Sequence, residues 1–167
     1  MFSRVKEFKM TTLHELYQQN YSEWAKHTAE LLKTGRFSEL DIEHLLEELE
    51  SMGTSERHEV ENRLVILIAH LLKWQFQYQQ LSDKWKEFYE HSWRSTIIEQ
   101  RARLAKRLRK SPGLKSSLDE IITEAYEDAV ELAIDETGLP SELFPEFCPY
   151  SSHELFDKTF YPSIQNN

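Results

Sequence analysis

The nineteen residues from Val60 to Tyr78, VENRLVILIAHLLKWQFQY, are the one stretch of this chain that is apolar on more than one helical face. Val60, Leu64, Leu67, Leu71, Trp74 and Tyr78 recur at alternating steps of four and three, and Val65, Ile68, Leu72 and Phe76 form a second stripe beside them. A helix clad in this way has to be surrounded by other elements. Its apolar centre, Leu64 to Leu72, contains His70 and is far shorter than the roughly 20 residues of a membrane span. It predicts a core helix and not an anchor.

The remaining segments supply what surrounds it. Leu13, Leu16, Tyr17, Tyr21, Trp24, Thr28, Leu31 and Leu32 keep helical spacing up to Gly35, which predicts a first helix over 12–34 ended by a glycine cap. Ile42, Leu45, Leu46, Leu49 and Met52 predict a second over 38–52, with Asp41 placed favourably against the helix dipole. Gly53 favours a break or kink there, capped onward by Thr54 or Ser55. One long helix is the alternative, since an interior glycine costs only about 1 kcal/mol. The segment 79–90 reads as an aromatic loop with one helical turn. Trp93, Ile97, Leu104 and Leu108 predict a helix over 92–110, stopped by Ser111, Pro112 and Gly113. A capping box at Ser117 and Glu120 opens the last long helix, which runs to Gly138. The tail, 139–162, is interrupted by four prolines yet carries Leu139, Leu143, Phe144, Phe147, Leu155, Phe156 and Phe160, and is expected to wrap over the bundle with a short helix opened by Ser151 and Glu154. No segment alternates with a period of two, so no sheet is expected. The fold class is all-α: a compact bundle of about five main helices with a wrapped C-terminal tail, read as a single helical domain.

Charge narrows the function classes. The chain of 167 residues carries a formal net charge of −9, which disfavours non-specific attraction to nucleic acid or an anionic membrane. Nine acidic residues and one basic lie between Glu39 and Glu61, and ten acidic and none basic between Asp119 and Glu146. Between these segments, Arg94 to Lys115 holds eight basic residues against Glu99 alone. Antiparallel neighbours would let the acidic helices compensate the basic one. Cys148 is the single cysteine, so no internal disulfide forms, and a reducing, cytoplasmic setting is expected. MFSRVKEFKM lacks the apolar region of a signal peptide.

GRFSELDIEHLLEELESMGTSERHEVENRL, HLLKWQFQ, SWRSTIIEQR, SPGLK, YEDAVELAIDETGLP and FPEFCPY together resemble the bacterial family called domain of unknown function number 29, abundant in cyanobacteria. The resemblance spans about Leu16 to Pro162 and implies an all-helical fold; it brings no catalytic or cofactor residues. Asn20 stands where that family's pattern would have an acidic residue, and the aromatic segment after Gln79 is longer than in many members.

Three function classes remain. The first is a protein-interaction or regulatory module whose partner is another protein, with self-association as a variant; exposed aromatics in the 79–90 segment would favour it. The second is a nucleic-acid-associated factor using the basic helix 94–110, through Arg103, Lys106 and Arg109. The third is a metal-dependent enzyme using Glu47, Glu48 and His70, because bundles build metal sites from Glu and Glu-x-x-His sets on facing helices. The one carboxylate three residues before a histidine is Asp41 before His44, at an expected helix start, and no second pair accompanies it. His70 is therefore expected to be a core histidine satisfied by one hydrogen bond, and no cofactor or metal is expected. Phosphate loops, G-x-S-x-G, cysteine pairs and H-E-x-x-H are all missing. Ser55, Glu56 and His58 are too close in sequence to face one another on a helix, and Cys148 reads as packing in the tail.

Overall fold

In the computed structural model, residues 11–164 are described; the opening segment read above for a signal peptide lies outside them. Helices α1 (Leu13–Gln19), α2 (Tyr21–Lys33), α3 (Ile42–Phe76), α4 (Asp83–Lys110), α5 (Leu118–Thr137) and α6 (Ser152–Phe156) follow in order, with short 3-10 turns in every connection but that of α1 to α2, and the described residues contain no strand. The fold is all-α, as the hydrophobic periods predict. The chain divides into two compact units, one ending at Thr54 and the other beginning at Ser55.

In the first unit the expected single helix over 12–34 is two helices. Asn20 ends α1 and its side chain accepts from the Glu23 amide at 3.3 Å to open α2, a competition with the helical backbone that asparagine favours. Thr12 and Glu15 form a capping box ahead of α1. Gly35 takes the left-handed conformation that ends α2, with φ of 70°. Gly53 does not break the next segment: it lies inside the 35-residue α3, and the Thr54 hydroxyl returns to the Glu50 carbonyl at 3.0 Å instead of capping a new helix.

The second unit holds the main core. Val60, Leu64, Leu67, Ile68, Leu71, Leu72 and Phe76 of α3 are buried with Ile97, Leu104 and Leu108 of α4 and with Ile121, Ile122, Ala125, Tyr126, Ala129 and Ala133 of α5. Leu139, Phe144, Tyr150 and Leu155 bring the tail into the same cluster, and α6 has the capping box of Ser151 and Glu154. The tail is tied down by polar contacts as well: Tyr150 donates to Gln75 at 2.7 Å, Tyr126 to the Pro145 carbonyl at 2.6 Å, and Arg101 to the carbonyls of Leu155 and Glu154. Phe147, expected to cover the bundle, is instead 73% exposed. Two further expectations fail locally. The segment 79–90 is mostly helix, because α4 begins at Asp83, and Ser117 makes no side-chain cap because the 3-10 turn Pro112–Ser117 runs straight into α5.

Candidate functional site

The third function class required Glu47, Glu48 and His70 to act together. Glu48 and His70 each find partners inside their own unit. Glu48 accepts from Tyr17 at 2.7 Å and from Tyr21 at 2.8 Å, one hydroxyl on each carboxylate oxygen. Those bonds hold the Glu48 carboxyl below the usual carboxylate range and push the Tyr17 phenol up to about 12. Glu47 is exposed on the outside of α3. His70 donates from Nδ1 to the Ile66 carbonyl at 2.8 Å, one turn back on its own helix, and its Nε2 faces the ammonium of Lys73 at 3.3 Å. Burial, then the Lys73 charge, lowers the His70 pKa. Lys73 is itself buried; it pairs with Glu136 of α5 and lies 5.9 Å from the centre of the Trp93 ring. This is how a buried charge persists, with a carboxylate at hand.

The basic helix is only partly compensated, by the acidic segment of α3 as expected and by acids of its own helix. Arg107 pairs with Glu59 and Glu56 of α3, and Arg103 with Glu99 of its own helix at 2.8 Å. The acids of α5 find their cations on α3: Glu124 and Glu120 meet Arg57, and Glu136 meets Lys73. Among the described residues, Lys106, Arg109 and Lys110 have no carboxylate within ion-pair distance. Arg63, Arg103, Lys106, Arg107 and Lys110 line a cleft of about 420 Å³ with Glu59 in it. Glu59 is held there by Arg63 and Arg107, so the cleft already contains an anion.

A second cleft, of about 640 Å³, lies between α5 and the tail and is lined by Tyr126, Phe144, Phe147 and Cys148 among others. Burial pushes the Cys148 thiol up, away from the thiolate a nucleophile needs, and its Sγ rests 3.5 Å from the Tyr150 carbonyl. Ser55 gains no base: His58 pairs with Glu61 at 3.2 Å and Glu56 faces Arg107.

Two features of the first unit escaped the sequence reading. His14, in the first turn of α1, joins Asp41 and His44: one ligand atom from each lies within 4.8 Å of the other two, and His44 Nδ1 is 2.7 Å from Asp41 Oδ2. The Asp41 and His44 spacing was visible; nothing in the sequence pointed to His14. The other feature is a surface. Ile42, Leu46, Leu49 and Met52, read from the sequence as the apolar stripe of a helix, stand 50%, 53%, 56% and 59% exposed. The face of α3 that meets α1 is its polar one, where His44 packs on Tyr17 with ring centres 4.0 Å apart and Glu48 receives the two tyrosines. The apolar face is left outward. With about 100° between successive residues, Glu43, Glu47 and Glu50 line one edge of that stripe, and all three are exposed.

The described residues are those of an all-α protein with a closed core in one unit and an outward apolar stripe in the other. By sequence it belongs to the family described as Domain of unknown function DUF29, whose model matches residues 16–161. No curated protein matches the chain, and no solved structure does. Among the described residues no helix is long and apolar enough to cross a membrane.

Proposed function

We propose that the protein is an interaction module that binds a basic amphipathic helix of another protein along Ile42, Leu46, Leu49 and Met52. The observation that carries this reading is the continuous exposed stripe on α3. Single exposed leucines are normal on protein surfaces, but four large apolar side chains in register on one helical face form the kind of patch that marks a contact site. The i, i+4, i+7, i+10 spacing suits helix-in-groove or helix-on-helix recognition. The acidic edge of Glu43, Glu47 and Glu50 selects a partner with lysines or arginines flanking its apolar face and disfavours a second copy, whose own acids would face these. Trp85 and Phe88, exposed on the first turns of α4 in the second unit, supply the outward aromatics expected of an interaction protein. The lone, half-buried Cys148 fits a reducing cytoplasmic setting.

The test is fluorescence anisotropy with a labelled helical peptide carrying leucines at helical spacing and lysines elsewhere. Binding in the micromolar range is expected, with at least a tenfold loss in Leu46→Ser/Leu49→Ser. A matched peptide with glutamates in place of the lysines should bind more weakly by a similar factor. Equal binding of both peptides, or binding indifferent to the double variant, contradicts the reading, as does sedimentation showing the stripe closed in a homodimer.

A further inference from the structure

We infer that His14, Asp41 and His44 form a binding site for a divalent first-row transition-metal ion of the zinc class. Two imidazoles and a carboxylate are the donors such ions take, and three protein ligands leave a fourth position for water or a partner's donor. Ligand atoms at roughly 2.0–2.1 Å from a tetrahedral ion stand about 3.3 Å apart. The three donors here lie within 4.8 Å of one another, with the closest pair at 2.7 Å, so they bracket that separation. Small side-chain rotations bring them onto one ion, which enters where His44 Nδ1 now faces Asp41 Oδ2.

The backbone already holds two of the three donors. Asp41 precedes α3 and its Oδ1 accepts from the His44 amide at 3.4 Å, which fixes the carboxylate over the helix start while Oδ2 faces the imidazole. The His44 ring is buried, with the Tyr17 ring 4.0 Å away and the His14 ring 4.8 Å away. The third donor comes from a different helix, whose start is set by the capping box of Thr12 and Glu15. A hydrogen-bonded Asp and His pair needs no second imidazole to be satisfied, yet His14 is placed beside it and is exposed, so the fourth coordination position opens to solvent. The ion would tie α1 to the start of α3. His14 lies just ahead of the 16–161 span that the family model matches.

The test uses untagged full-length protein, freed of metal by chelator and dialysis, titrated with zinc in a calorimeter and with cobalt in a spectrophotometer. One zinc per chain with low-micromolar or tighter affinity is expected, along with the visible bands of four-coordinate cobalt and a zinc-dependent rise in unfolding midpoint. His14→Ala, at an exposed position where folding is checked by circular dichroism, should weaken zinc at least tenfold and abolish both the cobalt bands and the thermal shift. Asp41→Asn should weaken it as well. Absence of stoichiometric binding at 100-micromolar zinc, a six-coordinate cobalt spectrum, or zinc binding that survives unchanged in His14→Ala would each overturn the assignment.

Discussion

Replacing Arg101 with alanine should destabilise the second unit by about 2–4 kcal/mol, because this side chain joins α4 to the tail. Its Nε donates to the Leu155 carbonyl at 2.8 Å and its Nη2 to the Glu154 carbonyl at 3.2 Å, and its guanidinium lies 5.6 Å from the centre of the Tyr161 ring. Removing it strands two acceptors, each at a cost of about 1–3 kcal/mol, and opens space under the tail. Part of that loss is returned. Burial lowers the Arg101 pKa, so the folded protein carries a desolvation penalty that alanine does not, and Nη1 is buried without a partner among the described residues. At roughly 2–4 °C per kcal/mol for a chain of this length, the midpoint should fall by about 5–15 °C. Urea titration followed by far-ultraviolet circular dichroism measures the loss, and Arg101→Lys separates charge from geometry. An ammonium cannot fork to two carbonyls as a guanidinium does, so lysine should recover less than half. A loss below about 0.5 kcal/mol for alanine, or full stability in the lysine variant, would refute the role given to this arginine.

Gly53→Ala should stabilise the chain by about 0.5–1 kcal/mol, because Gly53 is inside α3 and an added Cβ meets nothing within 4 Å; a lower urea midpoint would mean that the helix bends there. His70 has a folded pKa depressed by burial first and by Lys73 second. The unfolded chain therefore binds the proton more readily, and the His70 contribution to stability is full above the ordinary histidine value and is lost as pH falls through the folded value. His70→Gln should flatten the stability profile below about pH 6.5 relative to the parent protein, and superimposable profiles would count against it. No appreciable binding to single- or double-stranded nucleic acid is expected at near-physiological salt, since Glu59 already occupies the basic cleft and Arg103 and Arg107 are paired. Micromolar, steeply salt-dependent binding that vanishes when Arg103, Lys106 and Arg109 are replaced by glutamine would reverse that expectation.

The core was legible because Val60 to Phe76 repeats apolar residues on two faces, a pattern that admits burial and little else. Local caps were legible where one residue decides them, as at Gly35, Gly138 and Ser151. Gly53 was misread because an interior glycine is only a weak breaker, and nothing local shows whether the helix continues. The direction in which the apolar stripe of α3 faces was not legible, for a different reason. Periodicity shows that Ile42, Leu46 and Leu49 share a face, but not whether that face meets the protein or the solvent. Here Tyr17 and Tyr21 gave Glu48 strong hydrogen bonds and turned the polar face inward. The group of His14, Asp41 and His44 joins residues 27 and 30 positions apart to a local pair, and no spacing rule covers that.

The most direct test of the interaction reading places a photo-crosslinking amino acid at Met52, at the exposed end of the stripe, in the cell of origin, and sequences the peptide captured after illumination. The expected capture is a segment of another protein with apolar residues at helical spacing and an excess of lysine and arginine, lost when Leu46 and Leu49 are changed to serine. Capture of the protein's own chain alone, of an acidic segment, or of nothing while a crosslinker at Phe147 captures a partner would contradict it.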